Sequence, residues 1–251
     1  MSQNNNNPSE NTEDGSVYRM IGIGIMAAVF GLVLAVVIVP VFLPGLVFSV
    51  SGEEPKAFWF LSRGTALVSY VFLWVSMVLG LLLSAKIAKL FPGAFTANDL
   101  HQFVSIGGLI TGLTHGLLLL GDKYMDTNLF QILTPFTFTK YRPIWVGFGQ
   151  LAFILWLVTV VSFYVKKRIG FKAWRATHYL SFLTFAGMLV HGILAGTDTG
   201  TSWVTWMYWI SGGSVVFLTF YRIFAALDAK DAKASSVVPQ PRVVPSPLEN
   251  M

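Results

Sequence analysis

Long apolar runs separated by short polar connections dominate the chain. Six such runs lie at about 20–43, 64–84, 100–120, 143–164, 174–195 and 203–224. Each has roughly the 20 residues that an α-helix needs to cross the hydrocarbon core of a bilayer. The pattern therefore predicts an all-α protein, a six-span transmembrane helical bundle formed by residues 18–225.

The two ends of the sequence differ from this pattern. Residues 1–17 are polar, contain a run of asparagines and lack the basic start of a signal peptide. Residues 226–251 contain four prolines among small and charged residues. Both segments are expected to be disordered tails, because neither has enough apolar residues to form a packed core.

The composition agrees with a membrane protein. Hydrophobic residues make up 54% of the chain and charged residues 12%, and the mean hydropathy is +0.64. Soluble domains have about 25% charged residues. The net charge of +5 does not indicate nucleic acid as a partner, because the basic residues lie at the ends of the apolar runs. Membrane lipid is the partner that this distribution predicts.

The basic residues also predict an orientation. Twelve of them fall on one side of the predicted bundle and five on the other. The larger group is Arg19, Lys86, Lys89, Lys166, Lys167, Arg168, Lys172, Arg175, Arg222, Lys230, Lys233 and Arg242. The smaller group is Lys56, Arg63, Lys123, Lys140 and Arg142. Because positive loops stay in the cytoplasm, both termini are expected there, in a multi-pass protein of the plasma or inner membrane.

All four histidines of the chain lie in two of the runs. His101 and His115 are fourteen residues apart in the third run, and His178 and His191 are thirteen apart in the fifth. In α-helices these spacings correspond to about 21 and 20 Å. The third and fifth runs cross the membrane in the same direction, so we expect His101 to meet His178 and His115 to meet His191. Histidines inside a membrane are usually functional, and the alternative is that each only hydrogen-bonds a neighbouring helix.

Two histidine pairs stacked across a bilayer are typical of two haem centres. Imidazole is a good axial ligand for haem iron, and the absence of cysteine excludes iron–sulfur clusters and covalent C-x-x-C-H attachment. The four histidines are therefore predicted to be metal ligands of two b-type haems. One difficulty is that thirteen residues turn an ideal helix about 140° away from a common face, so tilt, curvature or a π-bulge must correct the fifth run.

Further residues are predicted to bind the same cofactors. Gly108 and Gly112 lie between His101 and His115 on the same helix face and would let a flat macrocycle approach the backbone. Helix–helix packing is the alternative role for such small residues. Arg63 and Arg175 lie at opposite ends of the bundle, where each guanidinium could bind haem propionates or anchor its helix at the interface.

Shorter fragments accompany the histidines. They are Ser62-Arg63-Gly64-Thr65-Ala66, Arg142-Pro143, Trp174-Arg175-Ala176-Thr177-His178, Phe185-Ala186-Gly187 and His191-Gly192. With the histidine spacing, they make residues 62–197 resemble the ferric reductase-like transmembrane domain of ferric-chelate reductases and NADPH oxidases. The chain is also similar to the haem-binding membrane subunit of the methionine-sulfoxide reductase system. That relative usually has arginine at the position of His101, so the resemblance leaves open whether one haem or two are bound.

The resemblance implies electron transfer out of the cytoplasm. A cytoplasmic flavoprotein reductase or a quinol would be the donor, so a flavin or quinone would come with a partner. The acceptor outside the membrane would be a ferric chelate, oxygen or a periplasmic enzyme. No segment of this sequence resembles the family's flavin and nicotinamide domain, so an oxidoreductase component is expected. The alternative function is a transporter or proton relay with titrating histidines, although the six runs contain no Asp or Glu.

Overall fold

The computed structural model describes residues 56–85 and 94–237. The predicted first span at 20–43 and the predicted N-terminal tail lie outside the described residues. Within the described ranges the chain forms helices joined by short connections, with no β-strand.

The helices are numbered here along the described chain. They are α1 Lys56–Ser84, α2 Ala94–Leu118, α3 Leu129–Leu133, α4 Pro143–Tyr164, α5 Lys166–Ile169, α6 Phe171–His178, α7 Leu180–Ala195 and α8 Ser202–Val237. A 3-10 turn, Leu119–Gly121, follows α2.

Five helical segments are long and apolar enough to cross a membrane. They are Ala57–Ser84, Thr96–Gly121, Pro143–Tyr164, Phe171–Ala195 and Ser202–Lys230. Each corresponds to one predicted apolar run, which confirms a helical, multi-pass membrane protein. Many large apolar side chains point outward, including Trp209, which is 72% exposed, and Phe217, which is 68% exposed. Such a surface suits lipid, which accepts apolar side chains that water would not.

Two antiparallel helix pairs form the centre of the bundle. In the first pair α1 packs against α2, and in the second α4 packs against α7. Helix α8 runs alongside α1, where the Tyr70 hydroxyl lies 2.6 Å from that of Ser211 and the Trp74 indole donates to Ser214. The pairs meet over a core that includes Leu73, Trp156, Phe185 and Val204.

The two ends of this bundle differ in their connections. The loop end carries residues 119–142 and 196–201. The basic end carries the short helix α5 between α4 and α6, with Lys166, Lys167 and Arg168. His115 and His191 lie toward the loop end, and His101 and His178 lie toward the basic end.

The last helix continues past the predicted boundary. A disordered tail was expected from residue 226, whereas α8 extends to Val237. The sequence explains the difference, because residues 225–234 are mostly Ala, Lys and Asp and the first proline is Pro239. Alanine and lysine are strong helix formers, and without proline nothing ends the helix. Residues 238–251 of the predicted tail lie outside the described residues.

The fifth apolar run is interrupted beside a histidine. Helix α6 ends at His178, Tyr179 forms a turn, and α7 begins at Leu180. The Phe182 amide donates to the Tyr179 carbonyl, a bond over three residues rather than four. This break departs from ideal helical periodicity between His178 and His191, the two residues that could not share a face of an ideal helix.

Candidate functional site

The four histidines lie together in the two predicted pairs. The ring centres of His101 and His178 are 6.2 Å apart, with an angle of 71° between the ring planes. The ring centres of His115 and His191 are 6.4 Å apart, with an angle of 65°. Neither pair is joined by a hydrogen bond within the described part of the chain.

The ring separations fit a metal ion between the two imidazoles of each pair. Metal–imidazole bonds are about 2 Å long and a ring centre lies about 1.1 Å from its nitrogen, so two imidazoles on opposite sides of one ion have centres about 6.2 Å apart. Among the described residues, no group of three or more His, Cys, Asp or Glu side chains could hold a metal. Each pair could supply two ligands, the number that a haem iron takes from a protein in bis-histidine centres.

Hydrogen bonds fix the protonation of three of these rings. The Nδ1 atom of His101 lies 2.9 Å from the Ser76 carbonyl oxygen, and that of His115 lies 2.8 Å from the Ser62 carbonyl oxygen. His191 Nδ1 lies 2.9 Å from the Trp145 carbonyl oxygen. Because a carbonyl only accepts, Nδ1 must carry the proton in all three. The unprotonated Nε2 is then the ring nitrogen that is available to bind a metal, because metal-ligating histidines usually donate their other N–H to a carbonyl or carboxylate.

Two serines of α1 support the two histidines of α2. Ser62 is 2% exposed, and its hydroxyl donates to the His115 carbonyl and lies 2.9 Å from His115 Nδ1. The Ser76 hydroxyl lies 3.2 Å from His101 Nδ1 and 2.6 Å from the Ser105 hydroxyl. Sequence reasoning did not assign these roles. A signal exists, because Ser62 and Ser76 are fourteen residues apart, as are the two histidines that they contact.

A glycine of α4 makes room for His191. A Cβ atom at Gly149 would lie 2.6 Å from Cγ and 2.8 Å from Cε1 of the His191 ring. Only glycine therefore lets this ring lie against the backbone of α4, one turn from the Trp145 carbonyl that it bonds. Gly80 has a milder role at the other pair, since a Cβ atom there would lie 3.3 Å from Cε1 of His101. Neither glycine was predicted from the sequence to be a site residue.

A cavity surrounds the histidine pair near the loop end. Its volume is about 1180 Å³, and its walls include His115, His191, Tyr70 and Gly112. Pockets for small molecules and cofactors usually measure about 300–1,000 Å³. The cavity is therefore large enough for a macrocycle at this pair.

The segment 122–142 roofs this cavity. Met125, Phe138 and Tyr141 line the cavity from the roof side, and the Tyr141 hydroxyl donates to the Ala195 carbonyl. The Arg142 guanidinium donates to the Leu194 carbonyl. These hydrogen bonds attach the segment 122–142 to the C-terminal end of α7, where the last carbonyls of a helix have no partner within that helix.

An exposed ion pair lies on the roof. The Lys140 ammonium lies 2.5 Å from the Asp126 carboxylate. This hydrogen bond, together with the positive charge, holds the pKa of Asp126 below its ordinary value. The ion pair is therefore expected to persist at neutral pH and to weaken as acid protonates the carboxylate.

The two predicted arginines lie in different surroundings. Arg63 lines the cavity, but its guanidinium pairs with the Asp198 carboxylate, with Nε 2.7 Å from Oδ2, and lies 4.0 Å from the centre of the Trp59 ring. A propionate would have to share this arginine with Asp198. Arg175 is exposed near the basic end, with its guanidinium 5.1 Å from the centre of the Phe171 ring. Contact of either arginine with a propionate remains a prediction.

The two predicted glycines divide between the two roles considered. A Cβ atom at Gly108 would meet the Trp156 ring at 2.5 Å, so this glycine allows close packing of α2 on α4. Helix–helix packing is thus the role of Gly108, which lies midway between the two histidine pairs. Gly112 lines the cavity beside His115 and also packs closely against the Ser69 hydroxyl.

No family model matches the sequence, and comparisons with curated proteins and with solved structures also return no match. The resemblance to the ferric reductase-like domain therefore rests on the residues quoted for it.

Proposed function

We propose that this membrane protein binds two b-type haems and carries electrons across the bilayer. His115 and His191 would ligate the haem near the loop end, and His101 and His178 the haem near the basic end. When bound, each haem supplies an iron centre that takes up and releases one electron. The chain's part is to hold, orient and shield these centres.

The observation that carries the proposal is the separation of the imidazoles. Ring centres 6.2 and 6.4 Å apart match the spacing of two axial ligands on one iron in both pairs. The carbonyl bonds at Nδ1 add support, because they leave Nε2 of His101, His115 and His191 unprotonated for the metal.

The distribution of charges supports a direction for the proposed electron transfer. The basic end carries Lys166, Lys167 and Arg168 and is proposed to face the cytoplasm. A cytoplasmic flavoprotein or a membrane quinol would then donate electrons at the His101–His178 pair. An acceptor outside the membrane, such as a ferric chelate, oxygen or a periplasmic enzyme, would take them near the His115–His191 pair.

Replacing single ligands tests this assignment. His115→Ala or His191→Ala should remove one low-spin haem signal and abolish delivery to an outside acceptor, yet leave the other haem reducible from the cytoplasmic side. His101→Ala or His178→Ala should instead prevent reduction of the loop-end haem by a cytoplasmic donor. Optical and paramagnetic resonance spectra of each purified variant provide the measurement.

Thr114→Ala is the matched control. Thr114 is exposed and adjacent to His115, and its hydroxyl donates to the Ile110 carbonyl of its own helix. This variant should keep both low-spin signals. Two unchanged low-spin haems in all four histidine variants would show that other residues are the ligands.

A further inference from the structure

The four histidines are not held equally. His101, His115 and His191 each donate Nδ1–H to a backbone carbonyl of a neighbouring helix. The His178 ring makes no hydrogen bond within the described part of the chain. Such a bond normally fixes the orientation of a ligating imidazole and raises its basicity. His178 therefore needs another means of orientation, or it would be the weakest of the four ligands.

Trp174 is the side chain in position to provide it. Its ring centre lies 5.4 Å from that of His178, with an angle of 30° between the ring planes. The two residues are four apart on α6, so their side chains lie on the same helix face. Helix α6 ends at His178, because Tyr179 forms a turn directly after it. The contact with Trp174 is therefore the constraint that His178 receives from its own helix.

The surroundings of Trp174 indicate a role for the ring rather than for its N–H. Its Nε1 atom is buried and has no hydrogen-bond partner in the described ranges. Buried tryptophans usually find an acceptor. The ring itself is contacted by Phe171 at 5.3 Å and by the Lys166 ammonium at 5.2 Å from its centre. The indole is thus held through its faces, in an orientation that places it against His178.

We infer that Trp174 is a positioning residue that keeps His178 on the iron at the basic-end pair, in place of the carbonyl bond that anchors the other three ligands. This inference rests on the proposed haem function. When the Trp174 ring is removed, His178 is the first of the four ligands to leave its iron.

Carbon monoxide provides the test, because it binds ferrous haem only where an axial position is free. In the full-length protein with both haems, the reduced wild type should bind little carbon monoxide. Trp174→Leu should open one of the two haems, which is seen as a shifted absorption band for half of the haem and loss of one low-spin resonance. Trp174→Phe should restore the wild-type spectrum, because an aromatic face remains. Trp203→Leu, which removes a 61% exposed tryptophan, should change neither signal.

Each outcome decides the inference. A Trp174→Leu protein with two low-spin, carbon monoxide-inaccessible haems overturns it, as does a Trp174→Phe protein that opens one haem. If the leucine variant does not fold, Trp174→Met retains much of the apolar volume without the aromatic face and should open the same haem. A wild-type protein without haem overturns both this inference and the proposed function, whereas a haem-loaded protein whose carbon monoxide binding and low-spin resonances are unchanged by Trp174→Leu overturns the inference alone.

Discussion

At the scale of residues, backbone carbonyls of neighbouring helices orient most of the proposed ligands. The Ser62, Ser76 and Trp145 carbonyls each accept from one imidazole. This arrangement is economical inside a membrane, because it needs no additional charged side chain, which would be costly there. A substitution of Ser62, Ser76 or Trp145 changes the side chain but keeps the backbone carbonyl. The hydrogen bond from the histidine Nδ1–H to that carbonyl can therefore remain.

Gly149 provides a sharper test at this scale. Gly149→Ala would place a methyl group against the His191 ring and push Nδ1 away from the Trp145 carbonyl. Loss of such second-sphere support typically weakens metal binding about 10–100-fold. We expect haem to dissociate from the loop-end pair first, measured as loss of one haem on dilution or transfer to a haem-binding acceptor protein.

The control is the same substitution where space is available. A Cβ atom at Gly213 of α8 would meet nothing within 4 Å. Gly213→Ala should therefore keep both haems, and its thermal stability should be unchanged or slightly higher, because alanine is favoured over glycine in a helix by about 1 kcal/mol. Equal haem retention in the two variants would contradict the role given to Gly149.

At the scale of elements, the sequence predicted the five described spans well because membrane helices need long apolar runs. The ends were less predictable. Helix α1 begins at Lys56 rather than near residue 64, because the apolar residues 57–61 already belong to the span. Helix α8 continues to Val237 through residues that are mostly small or charged. The break at Tyr179 has no proline or glycine to signal it, so the sequence indicated only that some distortion was needed.

Reporter fusions test the arrangement of these elements in the membrane. A fusion after Asp198 follows α7 at the loop end, and one after Val237 follows α8 at the basic end. Because the basic residues are expected to remain in the cytoplasm, a reporter active only outside should work after Asp198, and one active only inside should work after Val237. The same location for both fusions would contradict a membrane-crossing α8.

At the scale of the whole molecule, the pairing of the histidines was predictable because depth in a membrane follows from residue number along parallel spans. The residues that surround each histidine were not predictable. Carbonyl anchors carry no residue identity, and the contact of Gly149 with His191 or of Trp174 with His178 depends on how helices turn and pack. Arg63 shows the same limit, since its partner Asp198 is 135 residues away in the sequence.

Haem content per chain tests the central claim most directly. The purified full-length protein, produced in cells with sufficient haem, is analysed as the pyridine haemochrome and compared with its protein concentration. Two histidine pairs with the spacing of axial ligands predict a ratio approaching two, with all haem of the b type and extractable without breaking a covalent bond. A ratio of one haem per chain would show that one of the two histidine pairs does not bind haem. A protein without haem would contradict the proposed function.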